Sequence, residues 1–153
     1  MALFDRLKEQ AKSLRQRLSR GQGAARGRGG AYRDASMAVC ALVAAADGHV
    51  DASETAQVES LILSNDVLRS FPPEQLRRRF HKHVSALTRD FPQGKAEALQ
   101  EIAKAANKPT EARSVIQTGM VIAGADGHFS QAEVEVLREA CGVLGLSPAE
   151  FQL

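Results

Sequence analysis

One stretch of nine residues occurs twice in the chain: Ala46-Asp47-Gly48-His49-Val50-Asp51-Ala52-Ser53-Glu54 and, 79 residues further on, Ala125-Asp126-Gly127-His128-Phe129-Ser130-Gln131-Ala132-Glu133. Each copy follows an apolar run of small residues and opens an amphipathic one, so the repeat extends into the flanking segments. A glycine followed by a cap-and-acid pattern is the punctuation between two helices. The chain is therefore expected to place two related helix–turn–helix units in one body.

Helix capping accounts for most of the motif. Asp51-x-x-Glu54 and Ser130-x-x-Glu133 both read as capping boxes; Val50 and Phe129 stand at the staple position, with Val134 as the partner in the second copy. Gly48 and Gly127 supply the left-handed residue that ends the preceding helix. Asp47 and Asp126 are not covered by this reading. A carboxylate in the last turn of a helix faces the negative end of the macrodipole, at a cost of about 0.3–1 kcal/mol.

The same spacing matches the second half of an EF-hand loop, D-G-x-[apolar]-x-x-x-E. The upstream ligand positions of such a loop fall on Val43 and Ala45, and on Ile122 and Gly124, none of which has a liganding side chain. Ca²⁺ takes about six to eight oxygens, too many for half a loop. Two half-loops facing each other can pool Asp47, Asp51, Glu54, Asp126 and Glu133 with carbonyls and water. The expectation is a shared divalent-cation site, Ca²⁺ favoured and Mg²⁺ an alternative; His49 and His128, at matching positions, make Zn²⁺ a third. Against it stands plain capping and turn chemistry.

The remaining patterns are helical throughout. Apolar residues recur at helical spacing over residues 32–46, 52–64, 74–87, 92–106, 111–125 and 131–144, and Val/Ile-rich alternation is missing, so the class is all-α. The segment 32–46 has hardly a polar face in its second half and is expected at the centre. Residues 111–125 repeat its character, with Gly119 and Gly124 permitting close approach, so the two helices are expected side by side with both motifs at one end. Val58, Leu61 and Ile62 are expected inside, as are Ala96, Leu99 and Ile102. Ser147-Pro148-Ala149-Glu150 reads as a further capping box.

Ahead of this body, Leu3, Leu7, Ala11, Leu14 and Leu18 alternate with Arg6, Lys8, Lys12, Arg15 and Arg17, the pattern of a basic amphipathic helix over residues 1–20. Residues 21–31, rich in glycine and arginine, read as a flexible linker, and residues 32–153 as the helical domain. Residues 1–34 carry nine Lys/Arg against three Asp/Glu, so a basic tail is joined to an acidic body. Leu3, Leu7, Lys8, Lys12, Leu14, Arg15 and Leu18 are the candidate contacts with a membrane surface or a partner's groove, unless the helix simply packs on the body.

Other chemistry is thin. The run Arg77-Arg78-Arg79-Phe80-His81-Lys82-His83 suits phosphate or nucleic acid, but a solvated helix face explains it as well, and no interleaved aromatics support nucleic-acid binding. No nucleophile–base arrangement or phosphate-cradling loop can be placed, so no enzyme is expected. Cys40 and Cys141, on apolar helix faces, read as inert thiols in a reducing compartment. No apolar run is long enough to span a bilayer, and charges interrupt the N-terminal residues where a secretory signal would be apolar. The expected location is cytoplasmic.

An apolar helix ending in A-A-D-G-x-[apolar]-x-x-x-E, repeated as A-D-G-H-F-S-x-x-E in an all-helical body, resembles the TerB family of bacterial tellurite-resistance proteins. That family is related in fold to a domain at the N-terminus of some membrane-anchored DnaJ-type co-chaperones. The resemblance covers roughly residues 32–151. It implies a compact seven- to eight-helix domain with an internal pseudo-two-fold repeat, to which this chain adds its N-terminal basic helix. It also implies clustered acids, here Asp47, Glu54, Asp126 and Glu133, for a divalent metal. The implied setting is a stress response without catalysis, alongside the multi-pass membrane protein TerC and Ca²⁺-binding TerD-type proteins, at the inner face of a membrane. The alternatives are a purely structural interaction domain whose acids only cap helices, and an enzyme or tellurite-sequestering thiol protein.

Overall fold

The computed structural model describes residues 29–125 and 127–153. Among them are six α-helices: α1 Gly30–Ala44, α2 Ala52–Ser64, α3 Pro73–Arg89, α4 Phe91–Ala103, α5 Pro109–Ala123 and α6 Gln131–Leu144. Two 3-10 turns, Leu68–Ser70 and Pro148–Phe151, complete the list, and no strand occurs among the described residues. The all-α class holds, with six full helices among the described residues where seven or eight are expected. The basic helix over residues 1–20, and with it Leu3, Leu7, Lys8, Lys12, Leu14, Arg15 and Leu18, lies outside the described residues, as do residues 21–28 of the linker and Asp126.

α1 is the axis of the molecule. Every residue from 35 to 45 is buried, and α1 packs against all five other helices, as a helix apolar on every side must. It starts at Gly30, two residues before the apolar pattern does, because the Gly29 amide donates to Glu111 Oε1 at 3.0 Å in the first turn of α5. The Tyr32 and Thr118 hydroxyls, both buried, meet at 2.8 Å and tie α1 to α5 again. At Gly119 a Cβ would stand 3.2 Å from Val39 Cγ2 and 3.0 Å from Leu137 Cδ2, so α1, α5 and α6 close on one another where α5 has no side chain.

α3 and α4 form an antiparallel hairpin turning at Asp90, whose carboxylate accepts the Gln93 amide at 3.1 Å to cap α4. At Gly94 the two backbones stand too close for a side chain, and the inward face of α4 carries Gly94, Ala98 and Ile102, leaving the expected core residue Ala96 exposed. Ser147 makes no side-chain cap; the segment after it turns as a 3-10 helix, so no third capping box forms. Gly145, with φ 73°, stops α6 in the left-handed conformation as expected.

The inner face of α3 carries Leu76, Phe80, Leu87 and, among them, His83, only 4% exposed. Burial lowers its pKa below the usual imidazole value, and Lys82 adds to this, while Glu101 and Glu97 of α4 and Asp34 of α1 oppose it. The unfolded chain therefore takes up this proton at a higher pH than the folded one, so stability present above about pH 6.5 falls as the pH drops through the folded value. The urea midpoint is expected to decline between about pH 7 and pH 5.5, and the His83→Gln variant to show a flatter profile. An unchanged slope in that variant would remove His83 as the cause.

Candidate functional site

Both motif turns are built alike. α1 stops at Ala44 and α5 at Ala123; Gly48 and Gly127 each have φ 86° and donate to a carbonyl three residues back, Ala45 O and Gly124 O, at 3.0 Å in both cases. Only glycine takes this φ without strain. Asp47 therefore lies beyond the last turn of α1, and its Oδ1 accepts the His49 amide at 3.0 Å. This is an Asx turn, a local role for Asp47 that helix capping alone does not predict.

The helices that follow begin differently. Ser130 Oγ accepts the Glu133 amide at 3.0 Å and Glu133 Oε1 accepts the Ser130 amide at 2.8 Å, a complete capping box beneath the buried Phe129 and Val134. At α2, Asp51 Oδ1 accepts from the amides of Ser53 at 2.7 Å and Glu54 at 3.1 Å, but the Glu54 carboxylate does not reach back, so only half of the expected box forms.

Between the two turns lies a groove of ≈350 Å³. The ends of α1 and α5 supply Val43, Ala44, Ile122 and Ala123; the turns supply Ala46, Asp47 and Ala125; α2 supplies Glu54, Gln57, Val58 and Leu61; and the start of α6 supplies Ser130, Ala132 and Glu133. The adjacent packing of the two small-residue helices thus brings both motifs to one cavity. Val58 and Leu61, expected in the core, are half-buried because they form its wall.

Three of the five expected metal ligands, Asp47, Glu54 and Glu133, line the groove, while Asp51 stays at the cap of α2. Their oxygens suit a hard cation such as Ca²⁺ or Mg²⁺. His49 and His128 are exposed and outside the lining. Among the described residues, however, no three His, Cys, Asp or Glu side chains stand close enough together to hold a metal ion. The described residues thus fit a cation only as part of a set: these carboxylates share a rim without forming a closed ligand cluster.

The basic run on α3 is smaller than its sequence suggests. Arg79 pairs with Asp34, while Arg77 at 3.0 Å and His81 at 3.1 Å share Glu59 Oε1, which leaves Arg78 and Lys82 exposed on the outer face. Both thiols are buried and pushed up to about 12, Cys40 by burial and Cys141 by burial with the Glu150 carboxylate adding to it. They are protonated at neutral pH and have almost no nucleophilic form. No helix among the described residues is long and apolar enough to cross a membrane.

Residues 33–153 match the family described as Tellurite resistance protein TerB. The chain is also similar to Tellurium resistance protein TerB from Alcaligenes sp, 27% identical over 120 residues, 78% of this chain and 97% of that one. No solved structure matches it. The family match spans all six helices except the first turn of α1, and both motif turns with the groove between them, and on it the chain belongs to the TerB family of tellurite resistance proteins.

Proposed function

We propose that this protein is a non-catalytic adaptor in tellurite resistance and stress response, and that its working site is the groove between the two motifs with a divalent cation, Ca²⁺ favoured, at the acidic rim. The observation that carries the reading is that one cavity is lined by residues of both copies, with Asp47 and Glu54 from the first and Glu133 from the second. In sequence Asp126 is the counterpart of Asp47, so the second copy offers a further carboxylate to such a site. The C-terminal residues of α1 and α5 line the same groove, and the C-terminal end of a helix carries partial negative charge. A bound cation would hold the two halves of the rim together; the chain's own part is to present the oxygens and the apolar wall behind them. Family membership supports the wider setting: a cytoplasmic protein acting at the inner membrane face with a TerC-like integral membrane protein and TerD-type proteins.

A purely structural role is the second reading, and one observation favours it: Asp47, Asp51 and Glu133 each already accept a backbone amide. Calorimetric titration of Ca²⁺, then Mg²⁺ and Zn²⁺, into chelator-stripped protein separates the two. One ion per chain is expected, with affinity reduced at least about tenfold in Asp47→Asn and in Glu133→Gln. Absence of binding heat for all three ions would leave the acids as caps and turn formers.

A further inference from the structure

The groove has an apolar wall that nothing among the described residues covers. Val58 and Leu61 stay half-buried there, beside Ile122 at the end of α5, and the acids Asp47, Glu54 and Glu133 line the same cavity. An occupant that matches must bring aliphatic side chains flanked by cations. Residues 3–18 of the same chain do so, with leucines at helical spacing and five interleaved Lys/Arg.

We propose that this N-terminal segment docks in the groove of its own chain, leucines against the wall and cations along the rim. Charge favours it: the first 34 residues carry nine cations against three acids, while the remaining residues hold 15 acids against 11 Lys/Arg. Reach permits it. From Gly30 to Val43 α1 rises about 20 Å, whereas the connecting residues 19–29 extend to about 36 Å when stretched and span about 18 Å on average as a glycine-rich coil. A cavity of ≈350 Å³ takes a few leucine-sized side chains rather than a whole helix, so the segment lies across the opening. The docking does not rest on the cation reading.

The test uses the full chain in chelator, so that its result is independent of metal. A nitroxide is attached through Ser13→Cys; Cys40 and Cys141 are buried and stay unlabelled in the native protein. Loss of the amide signals of Gln57, Leu61 and Ala132, restored on reducing the label, is the expected result. The combined Lys8→Glu, Lys12→Glu and Arg15→Glu substitutions are expected to restore them as well. Unchanged signals at these three amides, or losses centred on the outer face of α3, would overturn the proposal. So would losses that appear only when labelled and isotope-enriched chains are mixed, since the occupant would then be a second copy. Signals still lost in the charge-reversed chain would overturn the electrostatic basis on which the segment was chosen.

Discussion

Replacing Gly94 by alanine is expected to lower stability by about 3 kcal/mol and the melting temperature on the order of 10 °C, although alanine is the better helix former. The added Cβ would stand 2.6 Å from the Leu87 nitrogen, 2.7 Å from the Ala86 carbonyl carbon and 2.7 Å from Leu87 Cα. All three are backbone atoms of α3, so no side-chain rotation relieves the contact and the two helices have to separate. The gain in helix propensity from glycine to alanine is about 1 kcal/mol, too small to offset the clash. Thermal unfolding followed by circular dichroism decides the sign; a variant as stable as the parent would show that the α3–α4 hairpin has slack at Gly94.

Tyr32→Ala is expected to cost about 3–5 kcal/mol, a large share of the roughly 5–15 kcal/mol that holds a domain of this kind together. The ring is fully buried, stacks on Phe71 with centroids 6.0 Å apart, and its hydroxyl meets Thr118. The substitution therefore opens a cavity between α1, α5 and the segment before α3. Tyr32→Phe keeps the ring and removes only the hydroxyl, and should cost about 1 kcal/mol. Urea unfolding of the pair separates packing from hydrogen bonding. Equal losses in the two variants would mean that the hydroxyl contact, not the ring, anchors α1.

How far the sequence could be read depended on whether a feature was periodic or emerged only from packing. The burial of α1, the bounds of α2 and the close approach at Gly119 follow from apolar spacing and small residues, and all are seen. Ala96 was misplaced because apolar spacing alone cannot choose between neighbouring faces of α4; the inward face is the one with Gly94, where the α3 backbone leaves no room for a side chain. His83 lies in a basic run, and its burial follows only from the position of Phe80 and Leu87 on the same face. Asp47, Glu54 and Glu133 line one groove, since two matched helices side by side leave their ends together. The repeat missed that Asp47 closes its own turn, and that Val58 and Leu61 wall a groove instead of filling a core. Both outcomes depend on where α1 stops and on how much of α2 its neighbours cover.

The burial of α1 also sets an order of events during synthesis. One of its main companions, α5, begins at Pro109, 79 residues after Gly30, and at about 5–20 residues per second the ribosome needs roughly 4–16 s to make that interval. Throughout it, α3 and α4, which are made first, can cover part of this apolar helix, while the side that meets α5 and α6 stays open. Neither half of the repeat can shelter it alone, because the helix that completes its packing belongs to the other half. The repeated motif therefore does not mark two independently folding pieces: the first stays partly uncovered until the second is made.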